Sequence, residues 1–420
     1  MRVLILTHGT RGDVQPYAAL AQALYEAGHE AVLAGPAASA SLAEPYGFTF
    51  AQVDDGPNKL IDDPHIRQAI ETNYRGLRGK KVALDVMRAS KPLMAAVLRD
   101  MADVAAGGAD LVVHAAGIPG QHFAEALEVP SVPVALQPVW VPTATFRNPM
   151  LPVPLPRRLN RASYAPIKLL LRSFSGIADK IREDRLGLPK RRRRHDVLRQ
   201  TDGSPSTVLQ GFSRHVLPDG LDYPPNVHTT GFWYLPAAAE WTPSPELTAF
   251  LDAGEPPVYI GFGSMAGTDP ERVGRIATEA VRIAGVRAIL ASGWGGIKTA
   301  DLPEGVLLLD QAPHDRLFPQ MSAIVHHGGS GTTGAALAAG KPQVVCPFVA
   351  DQPFWATRMH ATGMAPPPLP QRRLTAEVLA AVITTARTDT RMADTARRLA
   401  DRVRSENGVD AAVKILETLA

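Results

Sequence analysis

Residues 323–342 read AIVHHGGSGTTGAALAAGKP, a short apolar strand followed by a glycine-rich turn and a helix-compatible stretch. A turn of this kind presents free backbone N–H groups and the positive end of a helix dipole, which together bind anions such as phosphate. Its histidine, serine and threonine side chains add further donors. The turn is neither a Walker loop nor a dinucleotide fingerprint. The stretch therefore predicts a phosphate site of another kind, late in the chain.

Strand-like runs alternate with helical patterns throughout the chain. The runs are 2–7, 31–34, 48–53, 110–114 and 132–136 in the first half, and 258–262, 287–291, 306–309, 323–326 and 343–346 in the second. Such alternation favours βαβ units and parallel sheets covered by helices. Neither half has the eight repeats of a barrel, so we predict an α/β protein with two Rossmann-like domains.

The composition is that of an ordinary globular enzyme. The chain has 420 residues, with 45% hydrophobic and 20% charged, and its formal charge of +3 is too small to argue for nucleic acid binding. The only cysteine, Cys346, lies in an apolar run and is expected to be buried and inert. No run has the length of a membrane span, and residues 1–7 read as a strand rather than a signal segment. We expect a cytoplasmic enzyme without an integral membrane segment.

Two segments interrupt the alternating pattern. Residues 137–173 are rich in proline and aromatic side chains, and a loop of this length is usually functional or mobile. Residues 190–194 form a run of five basic side chains. A solvated loop explains that run, and attraction to an anionic membrane surface or an acidic partner is the alternative, which the modest net charge does not favour.

Other glycine-containing turns also follow predicted strands. They are residues 8–16 (HGTRGDVQP), 261–265 (GFGSM) and 292–295 (SGWG). Ligands of open α/β sheets bind at the carboxyl ends of strands, so these turns are candidates for one site. Asp13 stands at the start of a helix, where a capping carboxylate is the alternative to a reactive one. The turns of the second half suit a nucleotide diphosphate, which needs an edge for the base and N–H donors for the phosphates.

These motifs, in this order, resemble those of the family 1 glycosyltransferases of the GT-B fold over nearly the full length of the chain. The resemblance is closest to the bacterial natural-product branch and to the sterol glucosyltransferases. It rests on residues 10–16 (TRGDVQP), 258–265 (VYIGFGSM), 313–319 (PHDRLFP), 326–333 (HHGGSGTT), 347–348 (PF) and 351–355 (DQPFW).

The resemblance implies a domain plan with a cleft between two sheets. We expect an acceptor-binding domain over residues 1–215 and a linker over 216–236, where proline, glycine and asparagine are frequent. A nucleotide-sugar domain over 237–405 should follow, and residues 406–420 should form a helix that packs back on the first domain.

The resemblance also implies site residues. Asp13 matches the catalytic base, a position where many relatives carry histidine. His327 matches the residue that touches the diphosphate, and Asp351 with Gln352 matches the pair that reads the sugar hydroxyls. The full set of implied donor-binding residues is Gly12, Ser264, Trp294, Ala312, His327, Gly329, Ser330, Gly331, Thr332, Asp351 and Gln352.

Two histidines are further catalytic candidates. His114 ends a predicted strand at about the position where histidine-based relatives carry an orienting aspartate. We hypothesise that Asp13 and His114 face one another; a hydrogen-bonded core histidine is the alternative. His8 lies five residues before Asp13 but matches no catalytic position of the family. Ala335 stands where plant relatives carry a ribose-binding glutamate, which leaves UDP and dTDP donors open.

The implied reaction is a single displacement with inversion at the anomeric carbon. A hexose would move from a nucleotide diphosphate sugar, which is a co-substrate rather than a cofactor, to a hydroxyl of an apolar acceptor such as a polyketide, macrolide, sterol or phenolic. We assign acceptor contacts to Trp140, Phe146 and Met150, which on the alternative interpretation only pack their loop. No Asp-x-Asp metal clamp occurs in the chain, so we predict catalysis without metal.

Two other functions remain open at this point. A non-catalytic glycosyltransferase-like helper is expected to lose the base and sugar motifs that this chain keeps. A sugar-nucleotide epimerase shares the fold but is expected to lack the histidine–glycine turn with Asp351 and Gln352. The chain is expected to act as a monomer or a homodimer.

Overall fold

The computed structural model describes residues 1–60, 63, 65–66, 69, 76–151, 153–192, 195–263, 269–292 and 302–419. Seven strands within these ranges form the first sheet, and every neighbouring pair is parallel. They are β1 (Arg2–Leu6), β2 (Glu30–Pro36), β3 (Thr49–Val53), β4 (Leu111–Ala115), β5 (Ser131–Ala135), β6 (Val208–Gln210) and β7 (Val227–Thr229). Their order in the sheet is β3-β2-β1-β4-β5-β6-β7.

Helices cover both faces of this sheet. They are α1 (Arg11–Glu26), α2 (Gly56–Lys59), α3 (Gly76–Ala105), α4 (Gln121–Leu127), α5 (Ala165–Ser173) and α6 (Ser175–Asp184). Successive strand residues point to opposite faces. Val3 and Ile5 of β1 therefore pack with α1, whereas Leu4 and Leu6 pack with α3 and α4.

The second domain repeats the plan with a smaller sheet. Its described strands are β8 (Val258–Gly261), β9 (Ala288–Ala291), β10 (Val306–Leu309), β11 (Ala323–His326) and β12 (Gln343–Val345), all parallel in the order β10-β9-β8-β11-β12. Its helices are α7 (Pro245–Asp252), α8 (Pro270–Ala284), α9 (His314–Leu317), α10 (Ser330–Ala338), α11 (Gln352–Ala361), α12 (Ala376–Thr388) and α13 (Thr390–Ser405). None of the described helices is long and apolar enough to cross a membrane.

The last described helix, α14 (Gly408–Glu417), returns to the first domain. Its Ala412, Val413 and Leu416 are buried in the core that α1 forms with the first sheet. The chain thus passes between the domains twice, and the two passages touch. A Cβ on Gly408 would lie 2.6 Å from the Phe232 carbonyl oxygen, and one on Gly231 would lie 3.2 Å from Gly408 Cα. Only glycine permits this approach.

The fold predicted from the sequence is confirmed: the structure has two α/β domains with parallel sheets. Two strands were not predicted, since β6 and β7 have three residues each and carry no alternation that a pattern search can recognise. The predicted linker, residues 216–236, contains β7, which belongs to the first sheet. Three of its four prolines, Pro218, Pro224 and Pro225, precede the strand rather than separate the domains.

Candidate functional site

The candidate site lies where each sheet changes the direction of its strand order. β1 lies between β2 and β4, and β8 lies between β9 and β11. At such switch points the loops at the carboxyl ends of the strands diverge and leave a crevice for a ligand. The loop after β1 leads into α1, and the loop after β11 leads into α10, so both predicted loops border these crevices.

Asp13 is fixed in the first turn of α1 by a capping box. The backbone N–H and the hydroxyl of Thr10 donate to Asp13 Oδ2 at 2.9 and 3.0 Å. The carboxylate folds over Gly9, where a Cβ would come within 2.5 Å of Oδ2. Burial raises the pKa of Asp13, although the bonds from Thr10 oppose the rise. Oδ1 has no partner among the described residues and is the oxygen that can accept a proton.

His8 is the second basic group of this loop. Its Nε2 lies 3.0 Å from the Asp54 carbonyl oxygen, so Nε2 carries the proton and Nδ1 keeps a lone pair. Burial lowers the pKa of His8, whereas the nearby carboxylate of Asp13 raises it. The structure therefore brings two of the three predicted catalytic residues, Asp13 and His8, together.

His114 is not brought to Asp13. It is the penultimate residue of β4, one residue after Val113, which packs with α1, so its ring turns to the opposite face of the sheet. The ring is fully buried and packs on Gly120, where a Cβ would lie 2.3 Å from Cγ. Burial lowers the pKa of His114 to about 4. The predicted pairing missed this because a one-residue step along a strand reverses the side chain.

His327 lies between two glycines beside the start of α10. A Cβ on Gly263 would lie 3.5 Å from His327 Cε1, and one on Gly329 would lie 2.5 Å from Nε2. Nδ1 is buried and has no partner among the described residues. Burial lowers the pKa of His327 to about 3, so the ring is neutral at pH 7. It offers one unused buried nitrogen where the sequence predicts an anion.

The adjacent His326 stabilises the turn through hydrogen bonds. The backbone N–H of Gly328 donates to its Nδ1 at 3.1 Å, so Nε2 carries the proton and donates to Gln343 Oε1 at 2.8 Å. Burial lowers the pKa of His326 to about 4. These bonds hold the turn, in which Gly328 has a φ of +90°.

The first turn of α10 presents the predicted anion donors. Ser330, Gly331 and Thr332 follow the N-cap residue Gly329. Backbone N–H groups of a first helical turn have no acceptor within the helix, and the dipole makes this end positive. The hydroxyl of Ser330 instead donates to the Leu136 carbonyl oxygen of the first domain at 3.0 Å. Ser330 therefore offers a ligand its backbone N–H, while its side chain joins the domains.

A strained turn presents Gln352. Ala350, two residues earlier, has a φ of +58°, a left-handed conformation that costs a residue with a Cβ about 1 kcal/mol or more. Gln352 Oε1 accepts from the backbone N–H groups of Phe348 and Val349 at 2.8 and 3.1 Å. The amide NH₂ of Gln352 is left to contact a ligand.

Asp351 stands at the N-cap of α11. Its Oδ2 accepts from Trp355 Nε1 at 2.8 Å, while Oδ1 has no side-chain partner in the described part of the chain. Burial raises the pKa of Asp351 to about 6, and the charge of Asp13 adds to this rise. The two carboxylates, 338 positions apart in the sequence, therefore lie within electrostatic range of each other.

A direct hydrogen bond also joins the two sides of the cleft. Arg11 NH1 donates to Gln311 Oε1 at 2.9 Å. Sequence reasoning missed both residues, because the partner of Arg11 is 300 positions away and no motif marks Gln311. Half-buried Ala312 follows Gln311, and exposed Gly12 follows Arg11, so both predicted donor residues lie beside this bond. Ser264 and Trp294 lie outside the described residues.

The predicted acceptor residues occupy three different surroundings. Phe146 is buried against Phe354 of α11, with ring centroids 5.2 Å apart. Trp140 is half-buried and lies beside Gly117 in the loop after β4. Met150 is 45% exposed on the outer surface. Phe146 and Trp140 therefore border the cleft region, and Met150 lies at the start of a more exposed segment.

Comparison with known proteins decides the family. Residues 3–144 match the glycosyltransferase family 28 N-terminal domain, and residues 288–419 match the erythromycin biosynthesis protein CIII-like, C-terminal domain. The O-mycaminosyltylonolide 6-deoxyallosyltransferase of Streptomyces fradiae is 36% identical over 100% of this chain and 98% of its own. The chain belongs to the family 1 glycosyltransferases of the GT-B fold. The resemblance seen in the motifs is thereby confirmed.

This glycosyltransferase is also similar to longer enzymes. A sterol 3-beta-glucosyltransferase of Arabidopsis thaliana is 34% identical over 99% of the chain, and one of Emericella nidulans is 33% identical over 99%. The chain spans 65% of the length of the plant enzyme and 30% of the fungal one.

Solved structures support the fold of the glycosyltransferase. SnogD from Streptomyces nogalater superimposes with a TM-score of 0.68 at 20% identity, over 100% of each chain. The Streptomyces sp. SF2575 glycosyltransferase SsfS6, complexed with thymidine diphosphate, gives a TM-score of 0.64 at 20% identity, over 100% of this chain and 99% of its own. At these identities the likeness concerns the GT-B architecture alone.

Proposed function

We propose that this glycosyltransferase moves a hexose from a UDP- or dTDP-linked sugar to a hydroxyl of an apolar natural product, with inversion at the anomeric carbon. The observation that carries the proposal is that the loop of Asp13 reaches the second domain, where Arg11 donates to Gln311, and that the charge of Asp13 contributes to the raised pKa of Asp351. One wall offers a carboxylate with a free oxygen and a raised pKa, and the other offers sugar-reading groups beside an anion site. The relatives named for macrolide and sterol substrates support the acceptor class.

Asp13 is the proposed general base. Its Oδ1 takes the proton of the acceptor hydroxyl as that oxygen bonds to the anomeric carbon. The bond from this carbon to the phosphate oxygen breaks in the same step, and the electron pair leaves with the diphosphate. Burial supports the role, because the raised pKa makes the carboxylate a stronger base than an exposed aspartate.

The start of α10 is the proposed site of the leaving diphosphate. Its free N–H groups and helix dipole stabilise the charge that grows on the phosphate oxygens. Neutral His327 adds its unpartnered Nδ1, which donates to a phosphate oxygen when that nitrogen carries the ring proton. We assign the bonds to the sugar hydroxyls to Asp351 Oδ1 and the amide of Gln352, neither of which has another side-chain partner in the described part of the chain.

Replacing His327 with alanine is expected to lower turnover about 10²-fold, as loss of one transition-state donor does. The fold should persist, because the ring bonds no described residue. Initial rates of nucleotide release from the donor sugar measure the effect. Gln343→Glu, which disturbs the neighbouring His326 instead, serves as a control for damage to the turn. Full activity in His327→Ala would show that the phosphates bind elsewhere.

Activity is expected to persist in excess EDTA, with little change on adding magnesium. Helix dipole and N–H donors do the work that a cation does in metal-dependent transferases. Among the described residues, no group of three or more His, Cys, Asp and Glu could hold a metal ion. Rates measured after chelation, and again after titration with magnesium, decide the point. An absolute requirement for a divalent ion contradicts this account of leaving-group stabilisation.

The proposal as a whole is tested by incubating the protein with UDP-glucose or dTDP-glucose and a panel of sterol, polyketide, macrolide and phenolic acceptors. Mass spectrometry should detect a product heavier by one hexose, and the anomeric proton coupling of that product should report inversion. Nucleotide release in the absence of acceptor measures hydrolysis alone. No product with either nucleotide across the panel, despite measurable donor binding, would favour the non-catalytic helper.

A further inference from the structure

An exposed apolar segment follows the predicted acceptor residues in the first domain. Five large hydrophobic side chains between residues 150 and 170 are at least 41% exposed: Met150 (45%), Val153 (49%), Leu159 (41%), Leu169 (62%) and Leu170 (47%). The other exposed large hydrophobic residues among those described are scattered over the rest of the chain, as is normal for a surface. This concentration calls for a partner.

Helix α5 is the centre of the segment. Its sequence, APIKLLLRS, is rich in apolar residues, yet none of its nine residues is buried. Leu169 and Leu170 face away from the domain, whereas Ile167 and Leu171 are half-buried. Exposure of such a helix to water is unfavourable, because each exposed leucine keeps apolar surface in contact with the solvent.

Basic residues accompany these apolar side chains. Between Glu128 and Asp179 the chain carries six basic residues and no acidic one: Arg147, Arg157, Arg158, Arg161, Lys168 and Arg172. Two of them have acidic partners from other segments, Arg161 with Asp222 and Lys168 with Asp196. The other four are exposed and form no ion pair with any described residue. We call these four arginines and the five exposed apolar residues the basic apolar surface.

We propose that the basic apolar surface docks this glycosyltransferase on the surface of an anionic phospholipid bilayer. Leucines that enter the boundary between headgroups and acyl chains leave water, while the arginines meet lipid phosphates. Charge complementarity selects this partner. A symmetric contact with a second copy would set the four arginines against each other. Because no described helix crosses a membrane, the attachment is peripheral and reversible.

The basic apolar surface lies close to the predicted acceptor residues, so attachment to a bilayer would help an apolar acceptor to reach the cleft. Met150 begins the exposed segment, and Phe146, four residues before it, packs on Phe354 beside Asp351. Docking would therefore bring the bilayer near the cleft, so an apolar acceptor dissolved in lipid would have a short path to it. The attachment itself depends on neither the donor nor the acceptor and is tested without them.

The test is sedimentation of the 420-residue chain with sucrose-loaded vesicles, either of phosphatidylcholine alone or with about 30% phosphatidylglycerol, in about 50 mM salt. The protein should sediment with the anionic vesicles and stay in solution with the neutral ones. The double variant Leu169→Ser/Leu170→Ser should bind at least about tenfold more weakly. Each of Arg157→Gln and Arg158→Gln should weaken binding about fivefold. Raising the salt should weaken the wild type similarly.

The matched control is Ile283→Ser/Val378→Ser, which removes side chains of 45% and 42% exposure from the second domain. This variant should bind anionic vesicles like the wild type. Equal binding by the Leu169/Leu170 variant, or no binding of the wild type, overturns the proposal. A dimer that light scattering detects in the wild type and not in the leucine variant, without vesicle binding, would identify a second copy as the partner instead.

Discussion

Replacing Asp13 with asparagine is expected to lower turnover by roughly 10² to 10⁴, the range that a positioned general base contributes. The amide keeps an oxygen to accept from Thr10, so the capping box and the fold should persist. What is lost is the ability of Oδ1 to take a proton. Initial rates, set beside donor affinity from calorimetry, separate this loss from impaired binding, and donor affinity should be nearly unchanged.

The pH profile adds an independent check on Asp13. Its pKa is raised by burial, and only the deprotonated carboxylate accepts a proton, so wild-type activity should fall as pH falls through that raised pKa. The residual activity of Asp13→Asn should lack this acidic limb. His8→Ala is the companion variant, since His8 shares the loop and keeps a free Nδ1. Near-native turnover in Asp13→Asn with loss in His8→Ala would assign the base to His8.

Replacing Arg182 with methionine is expected to lower the free energy of unfolding by about 3 kcal/mol, the lower part of the range for breaking a buried ion pair. Arg182, in α6, is 1% exposed and bonds Glu125 with both terminal nitrogens. Its other donors reach His122 Nδ1 at 3.0 Å and the Pro189 carbonyl oxygen at 2.8 Å. Methionine fills similar space but removes the donor to His122 Nδ1 and to the Pro189 carbonyl oxygen, and it leaves Glu125 with Arg191 as its ion-pair partner.

The urea midpoint, followed by circular dichroism, measures this loss of stability. The matched control is Arg282→Met, because Arg282 pairs with Glu279 in a similar forked geometry but on the surface of α8. Surface ion pairs of this kind contribute little to the free energy of unfolding. The urea midpoint of Arg282→Met should therefore hardly move. Equal shifts for the two variants would show that burial of the Arg182 pair is not what stabilises the first domain.

Much of the fold could be predicted from the sequence because its elements are long or strongly patterned. Strands such as β1 and β11 are apolar runs that end in glycine-containing turns, and each leads into a helix. The short strands β6 and β7 depend on neighbours in the sheet for their conformation, which a local pattern does not contain. β7 in particular was assigned to the linker for this reason.

The site could be predicted in part. The loops could be identified because a phosphate-binding turn needs glycines and hydrogen-bond donors at the start of a helix, and the amino-acid sequence shows both. The hydrogen-bond partners across the two domains could not be predicted. Arg11 meets Gln311, and Ser330 meets Leu136, only after both domains have folded. His114 illustrates the remaining difficulty, since the register of one residue decided which face of the sheet its ring would occupy.

The contact between Gly231 and Gly408 has a mechanical meaning. Both covalent connections between the halves of the molecule pass through one place, so they act as a single pivot rather than as two separated straps. The cleft can then open by rotation about that pivot, while sliding of one half along the other would stretch both connections at once. Side-chain hydrogen bonds also join the two halves: Arg11 with Gln311, Ser330 with Leu136, and Arg358 with the carbonyl oxygens of Val216 and Leu217. Rotation about the pivot would have to break bonds of this kind.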